Sequence, residues 1–296
     1  MIPALLATLL FACSSVSGRR NVRLLGSAPA NFWRQLFGLA LLGVYAHTLG
    51  HGFQGVALGW FFLSGFVGYG LGDVGIYMAF PRLGTRLTAL MTQCLAAPLG
   101  VLMAWGWHGS RPTSPQLVAT ALILGGVAIA LAPSRNDPPA VRSPASGIAW
   151  GLLAAVGQAG GQVLSKHGFK LAQAVGEPAD PVTVAYQRLF PGLAVGLSWF
   201  LLDHFYFRPA DLPKPDYRRA WPWILLNTLA GPTLGVAAYQ WATKIAETSV
   251  VLSITAMTPL CVVPLAYVLE GERPTKRSLA GGVVAVSGVI CLALAA

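Results

Sequence analysis

Charge is scarce in this chain: only 10% of its 296 residues are Asp, Glu, Lys or Arg, against about a quarter in an ordinary soluble domain. A soluble fold of this length needs more charge to cover its surface, and a disordered chain would not carry 55% hydrophobic residues. Cysteine is scarce as well, and the four cysteines lie inside apolar runs without metal or redox spacing. These shortages leave a multi-span membrane protein as the class that fits.

The net charge of +10 does not by itself indicate a nucleic-acid partner. The Lys and Arg residues lie in short breaks between apolar stretches, where charge that flanks membrane spans collects. A basic stripe with interleaved aromatic residues is missing from the sequence. We therefore expect the lipid bilayer as the surroundings of this chain and no nucleic acid as its partner.

Ten apolar segments have the composition of membrane spans, and a helical span needs about 20 residues. They cover residues 2–17, 34–49, 58–79, 87–107, 116–132, 147–165, 184–202, 221–242, 249–269 and 278–296. The first segment has no positive region ahead of it, which favours a span over a signal peptide. Because helices satisfy their backbone groups internally, we predict an all-α membrane protein with ten transmembrane helices.

The sequence contains an internal repeat. The stretch Gly109-Ser-Arg-Pro-Thr113 recurs as Gly271-Glu-Arg-Pro-Thr275, and seven of the nineteen positions 109–127 match at an offset of 162. Tyr77 aligns with Tyr239 at the same offset, Pro98 aligns with Pro259 after a slip of one residue, and Arg34 aligns with Arg188 in the second span of each half. The matches run through most of both halves, so the chain is predicted to be a duplication.

Each half contains five spans, and an odd number makes the second copy enter the membrane from the opposite side. We therefore predict two inverted five-helix repeats, at residues 1–133 and 146–296, joined by a Pro-rich linker at 133–146. Inverted repeats are common among secondary transporters, because a cavity at their interface can open to either side by equivalent motions.

These features resemble the EamA-type family of the drug/metabolite transporter superfamily. The resemblance is carried by two five-helix halves, each closing with a proline, then Gly-x-Arg-Pro-Thr and a Gly-rich last helix, and by the Leu-Glu-Gly-Glu run at 269–272. It implies a ten-helix transporter of small metabolites without a bound cofactor. One departure is Ser110 where the pattern has Glu, so any role of that glutamate would rest on Glu272.

Ionisable groups inside spans are functional candidates, because they are costly in lipid. Asp73 lies about 9 Å inside the predicted end of the third span at 1.5 Å per residue, and Arg34 enters the membrane from the same side. The two are within reach of pairing. The functional interpretation is a proton-coupling or substrate-orienting carboxylate, and the alternative is a structural ion pair or a helix-packing hydrogen bond. Gly235 occupies the matching position in the second half, so this feature is not symmetric.

Polar side chains at depth give further candidates for a substrate cavity. Gln158 and Gln162 lie four residues apart on one helix face, and the repeat-related pair Tyr77 and Tyr239 is followed by Gln240. Each group has a second interpretation: the glutamines as hydrogen bonds between packed helices, and the tyrosines as interfacial anchors. Arg188, the counterpart of Arg34, completes the candidate set, and Ser14, Ser15, Ser17, Thr92, Gln93, Ser253 and Thr255 are weaker candidates.

Two further features of the sequence bear on chemistry or movement. His47 and His51 lie at i, i+4 without a third ligand in the sequence nearby, which favours an interfacial pair over a metal site. Pro98, Pro259 and Pro264 lie within spans and predict helix kinks, as hinges or as tolerated bends. No Ser/His/Asp cluster or phosphate loop is present in the sequence, so an enzyme is disfavoured.

The orientation in the membrane has two conflicting indications. The odd-numbered connections carry fourteen Lys or Arg residues and the even-numbered ones four, which predicts cytoplasmic odd connections and both termini outside. The family resemblance implies both termini inside. We give precedence to the charge bias.

The sequence thus predicts a secondary transporter, in the plasma membrane, that exports a small metabolite or drug-like compound, with protons as a candidate coupling ion. The alternatives are a binding or assembly protein on the same fold that transports nothing and, third, an intramembrane lipid-modifying enzyme. Substrate identity and oligomeric state have no signal in the sequence.

Overall fold

The computed structural model describes residues 2–108, 113–131, 145–177, 179–207, 215–246, 248–271 and 273–295, and all regular structure in these ranges is helical. In the first half the α-helices are α1 (Ile2–Leu25), α2 (Ser27–Thr48), α3 (Leu58–Gly65), α4 (Asp73–Cys94), α5 (Ala96–His108) and α6 (Ser114–Leu131). A π-helical segment, Phe66–Gly72, joins α3 to α4. Gly84, with φ 81°, breaks α4, so the third span ends there and the fourth continues through α5.

The second half begins with α7 (Ala145–Ala174) and α8 (Pro181–Leu202), which a π turn extends to Phe207. Its remaining helices are α9 (Tyr217–Thr228), α10 (Leu234–Ile245), α11 (Thr248–Thr255), α12 (Thr258–Glu270) and α13 (Lys276–Leu294). Another π-helical segment, Leu229–Thr233, joins α9 to α10 in the eighth span, and α11 and α12 form the ninth.

The chain is therefore an all-α membrane protein of ten spans in two inverted sets of five, as predicted. Within the described residues, five helices are long and apolar enough to cross a membrane by themselves: Ile2–Leu25, Leu58–Met103, Ser114–Leu131, Ala145–Ala174 and Lys276–Leu294. The second of these ranges contains the first π-helical segment and the break at Gly84. The eighth and ninth spans are each divided into two shorter helices.

The two halves exchange their first spans. Helix α1 packs against α9, α10 and α12 of the second half, and α7 packs against α4, α5 and the first π-helical segment of the first half. The repeat-related pairs α2 with α8 and α6 with α13 also pack together. Each half therefore buries its first span in the other, which is the arrangement expected of two copies related by a two-fold axis.

Interruptions of the helices recur at matching positions. The π-helical segments Phe66–Gly72 and Leu229–Thr233 overlap at the repeat offset of 162. Gly84 corresponds to Ala246, where α10 ends in an extended conformation. The fourth and ninth spans are interrupted at Leu95 and at Ala256–Met257, each just ahead of an aligned proline. The fourth and ninth spans are therefore interrupted close to Pro98 and Pro259, whereas Pro264 lies within the continuous helix α12.

The connection between the first two spans is much shorter than predicted. Helix α1 continues through Arg19 to Leu25, and Gly26 alone, with φ 94°, leads into α2. The arginines continue the helix because they have partners there: Arg19 Nη1 donates to Glu270 Oε2 over 3.0 Å. Thr85 Oγ1 donates to the same carboxylate over 2.7 Å. This buried cluster joins α1, α4 and α12 at one end of the bundle.

Three elements of the sequence analysis lie outside the described residues. They are residues 133–144 of the linker, residues 109–112 of the first Gly-x-Arg-Pro-Thr copy, and Glu272.

Candidate functional site

A polar cavity lies between the two halves, near the middle of the third and eighth spans. About 90 Å³ of it is open to the centre of a water molecule, which is room for several waters or a small organic group. The first half contributes Phe11, Ser14, Ser15, Arg34, Gly68, Tyr69, Asp73, Ile76, Tyr77, Phe80 and Gln93, and the second half contributes Gln158, Arg188, Gly231, Val236 and Tyr239.

Asp73 forms an ion pair with Arg34 in this cavity, as their depth and common side of entry predict. The side chains are only 10% and 7% exposed. Gln35 Nε2 donates to Asp73 Oδ2 over 3.0 Å and to the backbone carbonyl of Tyr69 over 3.0 Å. The carboxylate is thus fixed by one charge-assisted contact and one amide, both from α2.

The first π-helical segment determines where Asp73 points. Asp73 is the first residue of α4, directly after that segment. Glycines let the segment pass close to α7: a Cβ on Gly157 would come within 2.4 Å of the Cα of Gly72. π-helical turns are rare and occur frequently at functional sites, because they alter which face a side chain takes.

Tyr77 connects the ion pair to the second half. The Arg34 guanidinium lies over the Tyr77 ring, 5.1 Å from its centroid. Tyr77 Oη accepts a hydrogen bond from Asn227 Nδ2 over 2.5 Å, and Asn227 Oδ1 accepts one from Ser14 Oγ over 2.8 Å. This chain of polar contacts joins spans one, three and eight.

Arg188 is the second cation of the cavity and is 5% exposed. Its Nε donates to Ser64 Oγ over 2.8 Å, and its guanidinium lies 5.4 Å from the centroid of the Tyr69 ring. Among the described residues, the ion pairs within 4 Å do not include Arg188. Each arginine therefore lies over a tyrosine ring, Arg34 over Tyr77 and Arg188 over Tyr69. Arg34 also contacts a carboxylate, whereas Arg188 has none within 4 Å among the described residues.

Of the two glutamines predicted to share a helix face, one lines the cavity and the other forms a hydrogen bond between packed helices. Gln158 lines the cavity, with Nε2 3.5 Å from Tyr239 Oη. Gln162 is fully buried and donates to Thr243 Oγ1 over 2.8 Å, which joins α7 to α10. Gln240 is also fully buried and does not line this cavity, and its amide has no hydrogen-bond partner in the described part of the chain.

Sequence reasoning missed several residues of the site. Gln35 follows Arg34 directly, and Tyr69 lies four residues before Asp73, so proximity to a buried charge was the available signal. Ser64 and Asn227 carry no signal of that kind, since their roles depend on contacts between distant spans.

The histidine pair lies away from the cavity. His47 Nε2 lies 3.0 Å from Tyr186 Oη, at the other end of α2 from Arg34. In the ranges that the structure describes, no three His, Cys, Asp or Glu side chains are grouped closely enough to hold a metal ion.

Comparison with known proteins agrees with this architecture. No curated protein matches the sequence. Of 28 matching chains among solved structures, one described only as "Crystal structure of protein" is 17% identical, with a TM-score of 0.59 over 99% of this chain and 96% of that chain, a likeness of fold alone. The profile described as "EamA-like transporter family" matches residues 1–132 and 145–294. Since these ranges cover nearly the whole chain, the protein belongs to the EamA-like transporter family.

Proposed function

We propose that this protein is a secondary transporter that moves a small metabolite or drug-like compound across the plasma membrane, outward, by alternating access. The observation that carries the proposal is the polar cavity lined by both inverted halves. A site at such an interface can be exposed to either side when the halves rock against each other. The moving units would be the repeats at 1–133 and 146–296 with their first spans exchanged, because α1 packs in the second half and α7 in the first.

Opposite ends of the bundle are joined by different contacts, which would open in turn. At one end, Glu270 accepts hydrogen bonds from Arg19 and Thr85. At the other end, Gln187 Nε2 donates to the carbonyl oxygens of Gly52 over 2.9 Å and Gln54 over 3.0 Å. Breaking one set while the other forms would let the cavity reach one side at a time.

Asp73 is the candidate for coupling to a proton gradient. Its carboxylate lines the cavity and its partners Arg34 and Gln35 both come from α2. Protonation would remove the attraction to Arg34 and free α2 to move against the third span. In vesicles, flux through Asp73→Asn should no longer respond to a pH gradient, and an unchanged response would remove this role.

The test of the transporter proposal is flux into liposomes that contain the purified protein, with a panel of labelled small metabolites and drug-like compounds. Protein-free liposomes measure the leak. Movement of at least one compound above the leak, saturating with its concentration, supports the proposal. Saturable binding without flux would favour the binding or assembly protein, and chemical turnover without movement across the bilayer would favour an enzyme.

A further inference from the structure

We infer that the compound bound in this cavity is a small organic anion with an apolar body, and that Arg188 binds its anionic group. The claim that this anion is transported rests on the proposed function, whereas its binding does not. The two halves match in their arginines and differ in their acidic residues.

The two repeats place the same cation and only one anion in the cavity. Arg34 and Arg188 occupy corresponding positions, but Asp73 corresponds to Gly235 in the second half. Two arginines and one aspartate leave a charge of +1 among the ionisable residues that line the cavity. Asp73 contacts Arg34 directly and acts on Arg188 only at longer range, so Arg188 is the cation without an acidic side chain in contact.

The surroundings of Arg188 are built to hold a charged guanidinium. Glycines make the space: a Cβ on Gly68 or on Gly161 would lie 3.1 Å or 3.2 Å from Arg188 Nη2. Ser64 anchors Nε, and its hydroxyl lies 2.7 Å from the Gly161 carbonyl oxygen, so the third and sixth spans both fix the arginine.

Most of the donors of Arg188 are left for a ligand. A guanidinium has five N–H groups, and Ser64 is its one hydrogen-bond partner among the described residues. A buried cation without a counter-charge is costly inside a membrane. A carboxylate, sulfonate or phosphate would remove that cost through paired N–H···O contacts, for which guanidinium is the best-suited side chain.

Aromatic side chains in the cavity wall indicate the chemistry of the remainder of the ligand. Phe11 and Tyr239 meet edge to face, with centroids 5.7 Å apart, and Phe80 packs against Tyr77 at 5.5 Å. All four rings line the cavity. Aromatic walls of this kind favour an apolar or aromatic body next to the charged group.

The test is a thermal-unfolding titration of the purified full chain in detergent with ligands of matched shape. The anions are benzenesulfonate, 1-butanesulfonate and phenyl phosphate, the neutral analogue is benzenesulfonamide, and the cation is phenyltrimethylammonium. A ligand that binds only the folded state raises the unfolding temperature by mass action. At least one anion should raise it at concentrations where the neutral and cationic analogues do not.

Two variants place the effect at Arg188. Arg188→Gln should weaken binding of the stabilising anion about 10- to 100-fold, the range for a lost charge-assisted hydrogen bond. Gln158→Glu, which keeps the size of a cavity-lining side chain, should weaken it similarly by supplying the missing negative charge. Arg219→Gln is the matched control, since this arginine is 82% exposed on α9, and it should bind as the wild type does.

The outcomes separate this inference from the proposed function. Anion-selective binding that both variants lose supports the inference, even if liposomes show no flux. Should Arg188→Gln not fold, Gln158→Glu decides the matter alone. The inference is overturned if none of the anions raises the unfolding temperature, if the neutral or cationic analogue does so equally, or if a folded variant keeps wild-type affinity. Flux of neutral or cationic compounds alone would support the transporter proposal and overturn the inference that the ligand is an anion.

Discussion

The ion pair between Arg34 and Asp73 should be strongly coupled, and a double-mutant cycle can measure the coupling. The single variants are Arg34→Gln and Asp73→Asn, and the double variant combines them. Removing one partner of a buried pair typically costs about 3–5 kcal/mol of unfolding free energy, because the other charge is left without compensation. Gln35 still bonds to residue 73, which places the Asp73→Asn loss near the lower end.

The double variant removes both charges of this pair together, so it should be less destabilised than the sum of the single variants. We expect a coupling free energy of about 2 kcal/mol or more, since both side chains are at most 10% exposed. The assay is reversible unfolding of the purified protein in mixed micelles by titration with a denaturing detergent, followed by circular dichroism.

A pair at the surface provides the control. Arg219 and Asp216 lie 3.4 Å apart, with side chains 82% and 42% exposed, and exposed pairs of this kind couple by about 0.2–1 kcal/mol. The control cycle combines Asp216→Asn with Arg219→Gln. It stays interpretable because asparagine also caps a helix, in place of the Asp216 carboxylate that caps α9. Additive effects at Arg34 and Asp73, or coupling no larger than in the control, would show that the buried pair is not the linked unit described here.

Three further predictions follow from the packing and the charge pattern. Glu270→Gln should lower the free energy of unfolding by about 1–3 kcal/mol, because its carboxylate accepts hydrogen bonds from two other spans; no loss would mean that these bonds add nothing to stability. Gly157→Ala should lower the free energy of unfolding by about 1–3 kcal/mol, since its Cβ would press on the backbone of Gly72. The control Gly125→Ala has no heavy atom within 4 Å of the new Cβ and should be neutral or slightly stabilising. Equal effects of the two substitutions would contradict the close approach of Gly157 to Gly72. A reporter fused after Ala296 should be active only if it is a periplasm-specific enzyme, and activity of a cytoplasmic reporter there would favour the orientation that the family resemblance implies.

Most of the fold could be predicted from hydropathy and the repeat, because lipid demands continuous apolar helices and five spans per copy force inversion. Span ends were the weaker part. The arginines at the end of α1 suggest a connection in the sequence, but Arg19 is paired with Glu270 across the bundle, and that contact cannot be seen before the spans are assembled.

The candidate site was predictable where one residue carried its own signal. Asp73 and Arg34 stand out because charge is rare at that depth, and their pairing follows from the side on which both enter. The face of Gln158 and Gln162 was harder, since a helical period places both on one side while only the packing of α10 decides which meets the cavity. Ser64 could not be predicted from the sequence, because its role depends on its hydrogen bond to Arg188 in a distant span.

The π-helical segments have a consequence for the history of the chain. A turn closed by i→i+5 hydrogen bonds contains one more residue than an α-turn, so each segment amounts to an inserted residue. Both copies carry it at the same offset, and the simplest account is that the single ancestral unit already had the insertion before it was doubled. On that account the helical architecture is older than the difference in charge between the halves. A single substitution at the position now occupied by Asp73 in one half and Gly235 in the other was enough to make the two halves chemically different.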